Sequence, residues 1–413
     1  MSLIVQKFGG TSVGSVEKIQ HAASRVIQEI KKGHQVVVVV SAMGKTTDEL
    51  IRLAAGITQT PNKRDMDMLL STGEQMTISL LSMALQSEGY SSVSMTGWQA
   101  GIQTEAVHSK ARITHIETTR MKQELAKGKI VVVAGFQGMD ANFELTTLGR
   151  GGSDTTAVAL ASSLAAERCD IYTDVDGVYT SDPRYIKGAR KLEGISYDEM
   201  LELANLGAGV LHPRAVEYAK NHSLPLTVRS SIEDIEGTLI EEESMLEENL
   251  VVRGVAFEGD IVRITVYGLE NEFTGLAAIF SVLAENHINV DIIIQSQTEL
   301  NSTNLSFSIK EEELEETRRV LLNNKDALGF SKIEHEAGLA KVSIVGSGMV
   351  SNPGVAAQMF QVLAEHTIAV KMVSTSEIKV STVVEMNDML RAAQVVHDSF
   401  SLESLQPKPQ LAK

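Results

Sequence analysis

The sequence predicts an α/β domain followed by a smaller, duplicated α+β unit. Three observations carry this: uninterrupted β-branched runs alternating with helical periodicity, glycines where those runs end, and an internal repeat beyond an acidic break. Ile4–Phe8 reads as the first strand. Val16–Lys31 follows as an amphipathic helix, with Ile19, Ala22, Ala23, Val26, Ile27 and Ile30 on one face and Gly33 placed to end it. Gln35–Ser41 is a continuous apolar strand, the pattern of a parallel sheet covered on both faces. Further strands are expected at Ser92–Met95, Ile130–Phe136, Ile171–Thr173 and Leu226–Arg229, with helices between them. Near residue 240 the pattern breaks at Glu241-Glu242-Glu243 and Glu247-Glu248, an acidic run with no apolar face. Beyond it Arg263–Gly268 matches Lys341–Gly346, Phe280–Glu285 matches Phe360–Glu365, and Ile288–Val290 matches Ile368–Val370. Each copy reads strand, helix, strand, with another alternating strand after it at Leu305–Ile309 or Lys379–Val384. A unit this small cannot cover its own sheet, so the two copies should pair. Gln406–Lys413 reads as a frayed tail.

Composition narrows the function classes. The chain has 413 residues and a net charge of −16, which disfavours polyanions and anionic membranes as partners and requires any anion site to gather its cations locally. The single cysteine, Cys169, allows no internal disulfide and suits a reducing compartment. Apolar runs such as Val36–Val40 are too short to span a bilayer, and the first residues show no signal-peptide pattern. A cytoplasmic, multidomain protein with no nucleic-acid or membrane partner is expected.

Two glycine-rich turns could hold chemistry. Lys7-Phe8-Gly9-Gly10-Thr11-Ser12 lies where a buried strand exits toward a helix, so the backbone can approach a phosphate and Lys7 adds a full charge; a plain tight turn is the alternative. Gly149-Arg150-Gly151-Gly152-Ser153-Asp154-Thr155-Thr156 opens a second apolar helix. It is either a ligand loop or a helix start capped by Ser153 or Asp154. Thr173–Tyr179 and Asp182-Pro183-Arg184 form a polar loop after a strand. Other motifs fail: Gly44-Lys45-Thr46 lacks the first glycine of a Walker loop, the histidines have no zinc spacing, and no Gly-x-Ser-x-Gly elbow is present. His212, beside Pro213, reads as a helix-start feature.

The ordered segments 7–13 (KFGGTSV), 40–50 (VSAMGKTTDEL), 71–75 (STGEQ), 149–156 (GRGGSDTT), 173–184 and 210–214 (VLHPR), together with the duplicated C-terminal unit, resemble the aspartokinases. The similarity runs from Met1 to about Leu402 and is greatest to the short, lysine-sensitive bacterial type. The resemblance implies an amino-acid-kinase three-layer α/β sandwich at 1–240 and an acidic linker at 241–249. Two ferredoxin-like ACT domains follow, at 260–336 and at 250–259 plus 337–405. It implies transfer of phosphate from ATP to the β-carboxylate of L-aspartate, giving 4-phospho-L-aspartate on the way to lysine or diaminopimelate, threonine and methionine. Lys7 and Asp154 would be catalytic. Lys7, Phe8, Gly9, Gly10, Thr173, Asp174, Tyr179 and Arg184 would bind ATP, with Mg2+ held by the phosphates. Ser41, Thr47, Glu74, Arg150, Gly151, Gly152 and Ser153 would bind aspartate, with Arg150 on the α-carboxylate and Glu74 on the α-ammonium. No metal ligand of the protein's own is implied.

The sequence departs from the family pattern in places. Gly209 replaces a frequent lysine, Asp176 a frequent proline, and Phe273-Thr274 stands where the second repeat has Pro353-Gly354. Feedback by L-lysine, with L-threonine adding to it, is expected at Asn271, Thr274, Gly275, Asn289, Val290, Asp291 and Gln295. The two copies differ there, Asn289 and Asp291 facing Ala369 and Lys371 in the alignment. The family also implies an oligomer, either of identical chains or with a separate regulatory chain started internally near Met245.

Overall fold

The computed structural model describes residues 2–206, 209–242, 250–269, 275–299 and 302–403. They fall into two units: residues 1–179, 191–205 and 209–248, and residues 180–190, 206–208 and 249–413. Met245, Asn271 and Thr274 lie outside the described residues. No helix among the described residues is long and apolar enough to cross a membrane.

The β-branched runs form the centre of the first unit. Its main sheet has eight strands in the order Gly194–Ser196, Thr238–Glu241, Leu226–Ser230, Arg168–Thr173, Leu3–Phe8, Gln35–Val40, Ile130–Ala134 and Ser92–Met95. The strands from Leu226–Ser230 to Ser92–Met95 pair in parallel, and Thr238–Glu241 runs antiparallel to Leu226–Ser230. Val36, Val38 and Val40 pack with Ile19, Val26, Ile78 and Leu81 of helices Val16–Lys31 and Thr72–Ser87. The alternate residues Val37 and Val39 are equally buried and face the other side. There helix Gly152–Ser163 lies against the same strands, so the continuous apolar pattern reflects two covered faces. Ser15 caps the first long helix by accepting from the Lys18 N–H, and Gly33 follows its last turn at φ +90°.

Two features differ from the sequence expectation. The chain does not pass from Phe8 straight into that helix: a 3-10 turn, Gly10–Val13, intervenes. A separate sheet of four short strands, Ile113–Ile116, Ile102–Thr104, Gln137–Met139 and Leu145–Thr147, was not anticipated. Strands this short carry too few residues for alternation to register.

Strand order reverses direction at Leu3–Phe8, since later strands add on both of its sides. Phe8 is level with Val40 and with Tyr172, and Val40 with Ala134. The exits Gly9, Ser41, Gly135 and Thr173 therefore share one edge, where open parallel sheets bind ligands.

The second unit has one six-stranded sheet, ordered Ile293–Glu299, Ser302–Lys310, Gly254–Leu269, Lys332–Val345, Lys379–Glu385 and Met372–Thr375. The repeat is visible in its packing. Ile279, Leu283 and Ile288 occupy one core as Met359, Leu363 and Ile368 occupy the other. Equivalent residues His287 and Thr367 both turn out of their helices at positive φ, 59° and 57°. The two central strands are long because each serves both halves. Gly254–Glu258 pairs with Lys341–Val345, and Ile261–Tyr267 pairs with Lys332–Leu339, with an irregularity around Asp260 between them. Thr180–Arg190 also belongs to this unit. Ile186 enters the core beside Val252, Val342 and Leu363, and Lys187 and Gln394 exchange hydrogen bonds of 2.8 and 3.0 Å.

Candidate active site

The edge where the central strands end is built from glycine turns that a side chain would block. A Cβ on Gly10 would come within 2.9 Å of the Ala42 carbonyl oxygen, and the Gly44 N–H donates to the Gly10 carbonyl at 2.9 Å. The first glycine turn is thereby clamped to the turn after the second strand. Lys7, on the last turn-facing stretch of its strand, is buried and pairs with Asp154 at 2.6 Å. Phe8 is core: its ring stacks on Tyr172 with centroids 4.6 Å apart, so only its backbone can meet a ligand.

The second glycine loop is shaped from beneath. Gly151 has φ +69°, and a Cβ there would lie 2.1 Å from Cγ of His212. His212 in turn caps helix Pro213–Asn221 by accepting from the Arg214 N–H at 3.3 Å, and Arg214 donates to the Leu148 carbonyl. Burial holds the His212 pKa below its ordinary value. The capping alternative for this loop is overturned: Gly151 is the N-cap residue, no side chain caps the helix, and Asp154 faces Lys7 instead. Ser153 is buried and packs so closely on Gly135 that a Cβ there would lie 2.8 Å from its side chain. Arg150 is exposed and, among the described residues, pairs with no carboxylate that would consume its planar fork.

Glu74 is the electrostatic outlier. It sits in the first turn of helix Thr72–Ser87, is 2% exposed, and accepts from the Ala42 N–H through Oε1 at 3.1 Å. Its Oε2 has no hydrogen-bond partner. Burial pushes its pKa up to about 8, against the opposing pull of backbone N–H groups and the Gln137 side chain. Ser41 and Thr47 are half-buried on the adjoining turn and helix.

On the far side of Leu3–Phe8, Thr173 donates to Asp174 at 3.1 Å and Asp174 is exposed. The Tyr179 hydroxyl donates to Asp176 at 2.8 Å, and Lys191 pairs with the same carboxylate at 3.3 Å. The departure at Asp176 is thus absorbed by two local partners, and the Tyr179 pKa is pushed up to about 12 by burial and that acceptor. Arg184 lies in the second unit and forks onto Asp182 at 2.6 to 3.2 Å.

Several supporting residues escaped the sequence reading. Buried Asp67 accepts from the Thr147 N–H, the Thr147 hydroxyl and the Ser109 N–H, fixing the strand that leads into Gly149. Thr156 accepts from the Phe136 N–H at 3.1 Å and so holds Phe136 at φ +69°. Asp67 stands in a mixed polar stretch and Thr156 at the end of a motif read for its glycines, so neither carried a pattern for these contacts.

The model of the amino acid kinase family matches residues 2–230, and that of the ACT domain residues 342–400. "Aspartokinase 2" of Bacillus subtilis is 69% identical, over 97% of this chain and 98% of its own. The chain belongs to the aspartokinases. The aspartokinase of Geobacillus stearothermophilus is 61% identical over the same shares. Among solved structures, Escherichia coli aspartokinase III in complex with aspartate and ADP (R-state) aligns with a TM-score of 0.82 at 26% identity, covering 96% of this chain and 99% of that one. The same enzyme in complex with lysine and aspartate (T-state) aligns at 0.74. The chain is therefore an aspartate kinase, with the amino-acid-kinase α/β fold followed by ACT structure.

Two predictions follow from the site's charges. Lys7→Met should cost roughly 10²–10³ in kcat, about 3–4 kcal/mol, as for loss of one preorganised donor. Near-normal turnover in a folded variant would remove Lys7 from the phosphate end. An aspartokinase that needs ionised Glu74 should show kcat/KM for aspartate rising with pH to a plateau above about 8, a limb that Glu74→Gln abolishes. Without substrate the same shift works against the fold. The unfolded chain releases this proton in the ordinary carboxylate range, so stability falls as pH rises from there through about 8.

Proposed function

We propose that Lys7, Glu74 and Arg150 divide the two substrates of this aspartate kinase between them. The observation that carries the reading is the buried Lys7–Asp154 pair at the shared strand edge, beside two glycine turns. Lys7 and the amides around Gly9 and Gly10 stabilise charge on the β- and γ-phosphates, while Asp154 orients Lys7. Thr173, Asp174 and Tyr179 contact the nucleotide, and Arg184 serves it from its own segment. The Arg150 fork takes the α-carboxylate of aspartate, Glu74 takes the α-ammonium, and Ser41, Thr47, Ser153 and the Gly151-Gly152 backbone supply hydrogen bonds.

The β-carboxylate is ionised at neutral pH and needs no base. One of its oxygens attacks the γ-phosphorus, the bond to the β,γ-bridging oxygen breaks, and ADP leaves with that electron pair, giving the acyl phosphate. Positioning and charge stabilisation are thus the chain's whole contribution. Mg2+ belongs on the nucleotide phosphates, since Asp154 already has Lys7 as its counterion. Trapping with hydroxylamine, using ATP and a panel of acids, tests the reading. Aspartyl hydroxamate as the main product supports it, and preference for another acid, or none, overturns it.

Lysine is the effector we assign to the first repeat, with threonine adding to its effect. Gly275, Asn289, Val290, Asp291 and Gln295 are the described members of this site. Asp291 and Gln295 are both exposed, and Asp291 pairs at 2.6 Å with Lys341, which also reaches Glu258 at 3.3 Å. An effector ammonium would compete with Lys341 for Asp291, leaving Lys341 to Glu258. That exchange supplies the differential contact between states that regulation requires.

Arg150→Lys should lower kcat/KM for aspartate with ATP affinity nearly unchanged, because the charge remains and the fork is lost. Weakened ATP binding with normal aspartate handling would move Arg150 to the nucleotide. Asp291→Ala should desensitise the enzyme to lysine with catalysis intact. Inhibition at the wild-type concentration would show that the effector or its site lies elsewhere.

A further inference from the structure

We infer that Asp67 is a positioning residue for the substrate: it fixes the turn on which the second glycine loop rests, and so the direction of the Arg150 fork. The inference rests on Arg150 as the ligand of the α-carboxylate and adds the group that aims it. Arg150 stands between Gly149 at φ +76° and Gly151 at φ +69°, so its own turn has little stiffness and the fork must be held from outside. His212 holds the Gly151 end, where a Cβ would strike its ring. The Gly149 end rests on the turn at Ser109. A Cβ on Gly149 would lie 3.1 Å from the Ser109 carbonyl oxygen and 3.6 Å from Cγ of Lys110.

Asp67 controls both sides of that contact. It lies in helix Lys63–Leu70 and is fully buried. Its carboxylate accepts from the Ser109 N–H at 2.9 and 3.1 Å. It also accepts from Thr147, the residue two before Gly149, through the N–H at 3.1 Å and the hydroxyl at 2.6 Å. His108 donates through Nδ1 at 3.1 Å, the tautomer that a carboxylate acceptor selects. The Ala111 N–H donates to the Thr147 carbonyl at 2.9 Å and ties the two segments together a second time. Ser109 has φ +71°, a conformation that a serine keeps only where its surroundings over-determine it. The donors from His108, Ser109 and Thr147 occupy the roughly four lone-pair sites of a carboxylate, so an amide of the same shape would set its own NH2 against one of them. A buried aspartate is a costly way to gain stability alone. What it supplies here is one anchor for two backbone segments far apart in the chain.

The test is a double-mutant cycle in the full chain. Asp67→Asn should raise KM for aspartate roughly 10-fold, by loss of hydrogen bonds to a charged group. Both kcat and KM for ATP should stay within about twofold, because the contact weakened is binding remote from the reacting atoms. Thr147→Val removes one donor, keeps the side-chain shape, and serves if the first variant fails to fold; its expected rise is about threefold. In an Arg150→Lys background either substitution should change KM for aspartate by less than about twofold, since no fork remains to be aimed. Equal rises in both backgrounds, a parallel rise in KM for ATP, or an unchanged KM for aspartate would overturn the inference and leave Asp67 a structural residue. Arg150→Lys alone separates the two readings. If it raises KM for aspartate while the Asp67 and Thr147 variants do not, only the positioning role fails. If it leaves KM unchanged, Arg150 itself is misplaced and the inference falls with it.

Discussion

Everything at the candidate active site depends on one constraint: a parallel sheet buried on both faces must return each strand by a crossover, so all its strand exits lie at one edge. Here Phe8, Val40, Ala134 and Tyr172 end level with one another. The chain must turn immediately after each, in a space already occupied by the neighbouring turns. That crowding explains the glycines at 10, 135 and 151, each of which would drive a Cβ into a neighbour. The crowding also leaves backbone amides directed at whatever occupies the edge.

The same burial makes the charges there effective. Lys7 and Asp154 pair at 2.6 Å with both side chains largely buried, so each has the other as its counterion. Glu74 has no such partner and answers burial by holding its proton more tightly. A paired lysine beside a phosphate-sized turn and an unpaired carboxylate at a helix start are different solutions to the same desolvation. In the proposed reading they meet different ligands, the first the polyanionic nucleotide and the second the substrate amine.

The second unit solves a different problem. Each repeat alone would leave a sheet edge and a core incomplete, and the shared long strands Gly254–Leu269 and Lys332–Val345 remove that edge. Its cations follow the repeat. Lys341 stands where Arg263 does in the other copy, and each binds the glutamate opposite it on the paired strand, Glu258 and Glu336. Asp291 and Lys371 occupy equivalent positions with opposite charge, and each joins the cluster nearest to it. The copies thus share a scaffold and differ in electrostatics, which allows one to recognise a ligand that the other ignores.

Strand and helix positions, the duplication and the glycine turns were legible in the sequence because each is a local, periodic property. The run of valines before Ser41 and the face of helix Val16–Lys31 need only neighbours in the chain. Lys7, Glu74 and Arg150 could be named by residue type and by resemblance. What only the tertiary structure decided is which groups meet and which are left without partners. The pairing of Lys7 with Asp154 spans most of the first unit's length, and the support of Gly151 by His212 joins two motifs with no common pattern. The unpaired oxygens of Glu74 and Gln137 exist only once the surrounding chain has removed water. The transfer of Thr180–Arg190 to the second unit was equally hidden, because Ile186 is an ordinary apolar residue until Val252, Val342 and Leu363 close around it. Sequence determines local shape and chemical type; desolvation and long-range contact, which depend on every layer packed above a residue, decide what that chemistry is free to do.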